Sequence, residues 1–439
     1  MVSATTWKAA AAAAAAATAA GCLDYELDGP PYQAQVVDVL DIDPETARPS
    51  YGLVVRELST LEDLDTLSSP ALQVFRGGEL YIHEVGGRIV ADRMTADPDA
   101  RLRYVNDGGV AVARDYSTLA MLSAYYHYEN VLRDLERVTG ITVPEFRDYI
   151  GRVEVFFEPA FRTEVADINE REVIKFNAFY LPGAKQFGIA QRSHREGVPY
   201  AVNPMVTSHE FGHGLFEYTF DEGSPEFCNP AAFEQNEGDP LFPGRFRIEY
   251  AIRGLDEGFA DFIAFAYTGA TNALANPQSG SGERNFDGPD FGFTDLIIPE
   301  DDPNWLPPCF GQFYCIGTLF ASALYRTMIL LDYDPLDPSD RGEFSRMVVD
   351  ALSTTRAALY DLPEGVVPPP DPEVAQCRRH EGMPREIDGG VTGAFFAAFI
   401  SQMPEDVREP LCITLANRFG EVGFPESARL HCPSEEETS

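Results

Sequence analysis

The segment Ser208–Phe220, which reads SHEFGHGLFEYTF, combines residue types and spacing that suit metal chemistry. The chain has only seven histidines, yet His209 and His213 lie here four residues apart, with Glu210 directly after the first. Residues four apart share one face of a helix, so both imidazoles can point at a single zinc ion. Glu210, rotated by about 100° from His209, can reach a water on that ion without being a ligand. The pattern is that of a zinc hydrolase, although so short a motif also arises by chance.

A second segment offers the third ligand that a catalytic zinc site needs beside one open position. Residues 254–269, GLDEGFADFIAFAYTG, have the periodicity of an amphipathic helix. Glu257 is the candidate ligand, and Asp261 lies four residues later on the same face. The apolar residues of this segment can pack inward, namely Phe259, Phe262, Ile263 and Phe265. The presence of this segment weighs against a chance match in the first.

HEFGH followed by DEGFAD resembles the thermolysin-like and fungalysin-like zinc metallopeptidases, whose third ligand is a glutamate in an E-x-x-[SA]-D motif. NAFY at 177–180 is similar to the edge strand of that family, and LSAYYHYENVLRDL at 122–135 to its tyrosine-rich helix. The resemblance covers about residues 112–330. It implies an α+β fold with two lobes: a β-rich N-terminal lobe, a mainly helical C-terminal lobe, and the active-site helix at their junction.

The resemblance also implies roles for the motif residues. It implies a zinc-dependent endopeptidase in which His209, His213 and Glu257 bind Zn²⁺. Glu210 would be the general base that activates the zinc-bound water. Asp261 would hold the second ring nitrogen of a ligand histidine, which is the usual support for such a ligand.

The family places an oxyanion-stabilising histidine just before the helix that follows the third ligand. That helix is predicted here over 317–331, and no histidine occurs between His213 and His380. Tyr314 stands near the expected position, and a phenol can donate a hydrogen bond without being charged. Alternatively, Tyr314 only packs beside a loop between the cysteines at 309 and 315.

Three further positions follow from the resemblance. The family's second donor, a tyrosine nine residues before the third ligand, falls at Ile248, which makes Tyr250 a shifted candidate. Asn177 and Ala178 would hold an extended substrate by backbone pairing along an edge strand. A plain core strand is the other interpretation of this segment. Calcium is not expected, because its two family carboxylates are replaced by Met205 and Thr268.

The missing histidine leaves a second function open. The chain would then be a catalytically weak or inactive pseudo-peptidase that acts as a zinc-stabilised binding protein. Glu210 weighs against this alternative, since a purely structural zinc site needs no base. A zinc hydrolase with a narrower substrate is the third interpretation.

The chain carries 70 aspartates and glutamates against 33 lysines and arginines, a formal net charge of −37. Such a surface repels phosphate, which argues against nucleic acid and against attachment to anionic lipid. The acid favours a solvated, soluble surface over metal storage or a cationic partner. The expected partner is a peptide or protein substrate, and the oligomeric state is left open.

Residues 1–22, MVSATTWKAAAAAAAAATAAGC, predict an export signal, because one lysine precedes a short alanine-rich run. The ending AAGC resembles the cleavage box of bacterial lipoproteins. It predicts a lipid on Cys22 as the sole membrane attachment, at the outer membrane or cell surface. The other six cysteines are an even set that suits disulfides in an exported protein. A secreted chain with Cys22 as a free thiol is the alternative.

The rest of the chain divides by composition. Residues 23–50 are acidic and proline-containing, with one strand-like run, and predict a tether. Residues 51–110 alternate β-type runs with glycine pairs and predict a β-rich region. Residues 111–202 complete the N-terminal lobe, with a helix over 117–140, and 203–439 form the helical C-terminal lobe.

Overall fold

The computed structural model of the chain describes residues 32–43, 49–85, 88–164, 176–191, 198–221, 248–272, 285, 312–360, 390–423 and 432. Their fold belongs to the mixed α+β class, as predicted. The chain divides into two compact units. The first comprises Met1–Glu136, Ile141–Gly214 and Asn276–Ser279, and the second Arg137–Gly140, Leu215–Ala275 and Gly280–Ser439.

Within the described residues, the first unit holds three sheets, which combine antiparallel hairpins with parallel pairs. Their strands are β1 Tyr32–Ile42, β2 Pro49–Leu58, β3 Leu72–Arg76, β4 Glu79–Val85, β5 Arg88–Ala91, β6 Tyr104–Asp107, β7 Val110–Ala113, β8 Val153–Phe157, β9 Ala160–Thr163, β10 Phe176–Leu181 and β11 Gln186–Gln191. The strand orders are β2-β1-β7-β6, β10-β11-β8-β3 and β5-β4-β9.

The described helices complete the secondary structure. They are α1 Tyr116–Thr139, α2 Val143–Ile150, α3 Pro204–Phe216, α4 Ile248–Thr268, α5 Gln312–Leu330, α6 Pro338–Tyr360, α7 Gly390–Gln402 and α8 Glu405–Gly423. The boundary between the two units falls inside α3, after Gly214. None of these helices combines the length and the apolar character that crossing a membrane requires.

The predicted tether at 23–50 is wrong for the part that the structure describes. Strand β1 pairs antiparallel with β2 along its whole length, and Val36 on it is fully buried. The acidic composition suggested a solvated tether, but a strand can carry acidic side chains at the surface of a sheet. Asp38, for example, accepts a hydrogen bond from Arg56 Nε at 2.9 Å. Residues 23–31 and the export signal at 1–22 with Cys22 lie outside the described residues.

Helix α1 confirms the helix predicted over 117–140. It ends at Gly140, whose φ of 76° lies in the left-handed region that glycine adopts without strain. Glu129, only 1% exposed, accepts hydrogen bonds from the Ser59 backbone N–H at 3.2 Å and the Thr60 hydroxyl at 2.6 Å. This buried carboxylate therefore fixes α1 to the turn that follows β2.

The second unit has an aromatic helical core. Helix α4 packs against α5, α6 and α7, and α5 packs against α8. Ring contacts at 5–6.5 Å connect these helices, among them Phe262–Phe344, Phe265–Tyr325, Phe320–Phe396 and Phe320–Phe419. Cys412 on α8 forms a disulfide with Cys432. Cys315 is also disulfide-bonded, and its partner lies outside the described residues. The cysteines at 228, 309 and 377 lie outside the described residues as well.

The C-terminal end of α4 is held by a buried arginine on α6. Gly269 ends the helix with a φ of 78°. The Arg341 guanidinium donates to the Ala266 carbonyl at 3.2 Å and to the Pro335 carbonyl at 3.0 Å. Burial lowers the pKa of Arg341 to about 10, so it stays charged at neutral pH. A cation here complements the partial negative charge of the helix end.

His127 on α1 is 2% exposed, and its burial generates a prediction about pH. Burial lowers the pKa of its imidazole from 6.5 to about 4, even though Asp38 and the carbonyls of Val37 and Val202 favour the charged form. The unfolded chain binds this proton near pH 6.5, so the free energy of unfolding falls as pH decreases from 6.5 to 4. The loss amounts to about 3 kcal/mol at its limit.

We therefore predict that His127→Gln, which cannot bind the proton, weakens this acid sensitivity. Urea unfolding of the wild type and the variant at pH 7.5, 6 and 5 measures it. The difference in unfolding free energy between the two should shrink by about 2 kcal/mol from pH 7.5 to pH 5. Parallel curves over that range would show that His127 does not set the acid sensitivity.

Candidate metal centre

Helix α3 carries the HEFGH motif, and its start is determined by local sequence. The Asn203 side-chain Oδ1 accepts hydrogen bonds from the Met205 backbone N–H and the Tyr51 hydroxyl, both at 3.0 Å. Pro204 follows at the first helical position, where no N–H is needed. Asn203 is fully buried. The cap therefore fixes the start of α3 against a tyrosine of strand β2.

The apolar side of α3 packs on helix α2 and on sheet residues of the first unit. Phe211, fully buried, contacts Phe146 with ring centroids 5.0 Å apart and stacks on Phe187 at 6.2 Å. A side chain at Gly214 would lie 3.4 Å from Phe187 and 3.5 Å from Tyr180, so the helix approaches this sheet closely. These contacts set the rotation of α3 about its axis and thereby the direction of its polar face.

That polar face presents the motif residues. His209 and Glu210 are each 7% exposed, and His213 is half-buried. The Nε2 atoms of His209 and His213 lie 3.2 Å apart, and the ring planes stand at 86° to each other. The i,i+4 spacing therefore brings the two imidazoles together as predicted.

Helix α4 supplies the carboxylates. All four apolar residues that were predicted to pack inward are at most 2% exposed (Phe259, Phe262, Ile263 and Phe265). Glu257 is half-buried, while Asp261, one turn later, is fully buried. Burying a carboxylate is costly unless charge or hydrogen bonds compensate it, so Asp261 occupies a position where a structural or chemical role is required.

His209, His213 and Glu257 form a group that can hold a metal ion. One ligand atom from each lies within 4.8 Å of the other two. Zinc–nitrogen bonds of about 2.05 Å at a tetrahedral angle place two nitrogens about 3.3 Å apart, which matches the 3.2 Å between the two Nε2 atoms. That distance alone also fits a hydrogen bond between the rings, so the nearby carboxylate is the feature that favours a metal site.

The donor set fits a catalytic metal better than a structural one. Two imidazole nitrogens and one carboxylate make three protein ligands, which leaves a tetrahedral ion at least one further position. His213 and Glu257 are both half-buried, so solvent reaches part of the group.

Two glycines that the sequence analysis did not single out position Glu257. A side chain on Gly317 of α5 would lie 2.8 Å from Glu257 Cβ and 3.0 Å from the Gly258 backbone N. A side chain on Gly258 would lie 2.7 Å from the Gly317 carbonyl and 2.6 Å from Phe320 Cβ. Helices α4 and α5 therefore touch at a reciprocal glycine contact directly beside the candidate ligand.

Tyr128 on α1 is another residue that the sequence analysis did not single out. It is fully buried, and its hydroxyl has no hydrogen-bond partner within the described residues. Burial raises the pKa of Tyr128 well above its ordinary value, and the charge of Glu210 raises it further. The phenol thus lies within electrostatic range of the candidate base. The tyrosine-rich stretch of α1 was the signal, but spacing alone did not single out this member.

Tyr314 lies inside a helix, which corrects the predicted boundary. The helix predicted over 317–331 begins at Gln312, because the apolar residues before 317 continue it without a breaker. Tyr314 is half-buried and precedes Gly317 by three residues, so the two share one side of α5. The contact of Gly317 with Glu257 turns that side of α5 towards the candidate ligand.

The remaining candidates are Asn177, Ala178 and Tyr250, whose places in the strands and helices are as follows. Asn177 and Ala178 lie on β10, opposite Ala190 and Ile189 of β11, and β10 is the edge strand of its sheet among the described residues. Tyr250 lies on α4, two turns before Glu257. The side chains of Asn177 and Tyr250 lie outside the described residues.

No family model matches the chain, and no curated protein matches its sequence.

The glycine contact predicts a specific effect on metal affinity. Gly317→Ala should weaken binding of the probe ions Zn²⁺ and Co²⁺ about tenfold, because displacing the support of a ligand typically costs this much. The added methyl overlaps Glu257 Cβ and pushes the carboxylate out of place. Competition with a chromophoric chelator measures the dissociation constants.

The matched control is Met328→Ala, which opens a cavity at the far end of the same helix, where Met328 is fully buried. It should lower stability with metal affinity unchanged. An unchanged affinity in Gly317→Ala, or an equal loss in both variants, would refute the positioning role of Gly317.

Proposed function

We propose that this chain is a zinc-dependent endopeptidase of the thermolysin-like, two-lobe kind. The observation that carries the proposal is the approach of His209, His213 and Glu257 to within 4.8 Å, with Glu210 adjacent on the same helix. Zinc suits this donor set, because imidazole nitrogens and a carboxylate oxygen are its common ligands in catalytic sites. When bound, zinc would lower the pKa of a water and polarise the substrate carbonyl.

Glu210 is the general base in this proposal. It accepts a proton from the attacking water and later delivers it to the nitrogen of the departing amine. Its position after His209 sets its carboxylate beside the metal ligands rather than among them. Its 7% exposure limits competition from bulk water for this proton.

Asp261 supports the ligand set. It is fully buried one turn after Glu257, and a ligating imidazole usually donates its other N–H to such a carboxylate. We assign Asp261 to hold a ligand histidine, His209 in the first instance. This role would account for a fully buried acid on the face of α4 that also carries Glu257.

The substrate would bind as an extended peptide along the open edge of β10 at Asn177 and Ala178, one of which directs its backbone groups away from β11. Tyr314 is the candidate donor to the oxyanion, with Tyr250 as the second. A phenolic hydroxyl can serve here because the donor needs a correctly placed hydrogen rather than a positive charge. Export and a lipid on Cys22 would place this activity at the cell envelope.

The alternative is a zinc-stabilised binding protein without peptidase activity. The absence of a histidine between residues 213 and 380 favours it, since the family relies on one to stabilise the oxyanion. Glu210 favours the peptidase, because a structural metal site has no use for a base at that position.

Glu210→Gln decides between the two functions. The zinc-loaded wild type should cleave an unstructured protein such as reduced casein, and the variant should be slower by about 10²–10⁴-fold with zinc stoichiometry unchanged. The measurement is fragment appearance by gel and mass spectrometry, with metal content determined on the same samples. Equal inactivity of both proteins at one zinc per chain would favour the binding protein.

The oxyanion assignment predicts unequal effects of two matched variants. Tyr314→Phe should lower kcat about 10²-fold with little change in KM, because the lost hydrogen bond forms only in the transition state. Tyr250→Phe should have a smaller effect. Steady-state kinetics on one fluorogenic peptide compares them, and two unaffected kcat values would show that neither tyrosine is the donor.

A further inference from the structure

Strands β1 and β2 lie outside the part of the chain that resembles the peptidase family, which begins at about residue 112. They pair antiparallel with each other, and we call them the N-terminal strand pair. Both strands and the residues of the HEFGH motif belong to the same compact unit. Because the resemblance assigns the strand pair no role, its role has to be inferred from its contacts.

The N-terminal strand pair is attached to helix α1 by two hydrogen bonds. The Val37 backbone N–H donates to the Ser123 hydroxyl at 2.9 Å, and the Tyr126 hydroxyl donates to the Asp38 carboxylate at 3.2 Å. Val37 is 2% exposed and Ser123 is fully buried, so the first bond lies in the interior. None of these four residues belongs to α3.

The N-terminal strand pair also contacts the chain directly before α3. Strand β1 lies against the 3₁₀ turn Tyr200–Val202, and Asn203 follows this turn. From β2, the Tyr51 hydroxyl donates to Asn203 Oδ1 at 3.0 Å. Both strands of the pair therefore lie against the start of the helix that carries the two candidate histidine ligands.

The Asn203 side chain joins the strand pair to the helix. Its Oδ1 accepts from the Tyr51 hydroxyl and from the Met205 backbone N–H, both at 3.0 Å. Asn203 is fully buried, and its Nδ2 has no hydrogen-bond partner among the described residues. The two bonds to the oxygen are therefore the hydrogen bonds that orient this capping group.

Tyr51 is the donor in its bond with Asn203 throughout the physiological pH range. Desolvation raises the pKa of its phenol well above the ordinary value, so the hydroxyl keeps its proton. An amide oxygen can only accept. Phenylalanine at position 51 would leave the capping oxygen with one described donor instead of two.

The start of α3 affects the candidate ligands because they follow it closely. His209 lies in the second turn of the helix and His213 one turn later. If the first turn can move, arrangements in which the two imidazoles converge on one ion become a smaller fraction of the ensemble. The apparent metal affinity falls in proportion to that fraction.

We propose that Tyr51 is a positioning residue of the candidate metal centre, and that the N-terminal strand pair is a functional part of that centre. Tyr51 acts on the ligands through Asn203. This inference rests on the metal-binding role of α3 in the proposed function. It gives a function to a segment that lies outside the family resemblance.

Two matched variants of the full chain test the inference. Tyr51→Phe removes the hydroxyl that reaches Asn203, whereas Tyr126→Phe removes the hydroxyl that holds the same strand pair through Asp38. The dissociation constant for Co²⁺, measured by competition with a chromophoric chelator, should rise about three- to tenfold in Tyr51→Phe. In Tyr126→Phe it should change by less than about 1.5-fold. Urea unfolding of both variants compares their stability.

A double-mutant cycle identifies the route of the effect. Asn203→Ala should weaken Co²⁺ binding at least as much as Tyr51→Phe does, because it removes the capping oxygen itself. In the Asn203→Ala background, adding Tyr51→Phe should change the dissociation constant by less than about twofold. A loss of full size in both backgrounds would show that Tyr51 does not act through Asn203 and would overturn the proposal.

The same titrations separate failure of the inference from failure of the metal centre. Equal affinities of the wild type and Tyr51→Phe, or equal losses in Tyr51→Phe and Tyr126→Phe, would overturn the inference and leave the peptidase function standing. A wild type that binds neither Co²⁺ nor Zn²⁺ would overturn the metal centre and this inference with it. If the alanine variants do not fold, the comparison of the two phenylalanine variants decides alone.

Discussion

The position of the candidate ligand Glu257 depends on how closely helices α4 and α5 approach each other. In the candidate metal group, one ligand atom of Glu257 lies within 4.8 Å of the two imidazoles on α3. The reciprocal contact of Gly258 and Gly317 fixes the backbone at Glu257 against α5, since a side chain at either position would overlap backbone or Cβ atoms. Helix α4 is further held by aromatic packing along its length and by Arg341 at its C-terminal end. The backbone of the candidate ligand is therefore positioned by the close approach of α4 and α5.

The residues of the candidate site were predictable because periodicity is a local property of sequence. The four-residue spacing of His209 and His213 fixes a common helix face, and the alternation of apolar residues around Glu257 predicts which side of α4 is buried. The glycine contact was not predictable, because the sequence of one helix does not show which residue of another helix will lie against its glycine. The tether prediction failed at β1 for a related reason: acidic composition describes the average solvation of a segment, whereas the buried apolar residues Ala34, Val36 and Val37 describe which part of it packs.

Buried and exposed charged groups are stabilised differently in this molecule. Two buried ionisable groups are compensated by hydrogen bonds: Glu129 by backbone and hydroxyl donors, and Arg341 by the carbonyls of Ala266 and Pro335. Other described carboxylates are exposed to water instead, among them Asp41, Asp63 and Asp337. On α3, α4 and the turn after α3, both kinds of carboxylate occur. Glu210 and Asp261 are buried, while Asp256, Glu217 and Glu257 are half-exposed. Under the proposed function, Glu210 and Asp261 would take part in the chemistry.

X-ray absorption spectroscopy at the zinc edge, on the full chain loaded with one equivalent of zinc, tests the central claim most directly. A zinc site made by His209, His213 and Glu257 should show about four nitrogen or oxygen neighbours at about 2.0–2.1 Å, with the outer-shell scattering of two imidazoles and no sulfur. Three or more imidazoles, or a sulfur neighbour at about 2.3 Å, would show that zinc binds elsewhere. Either result would contradict a site made by His209, His213 and Glu257.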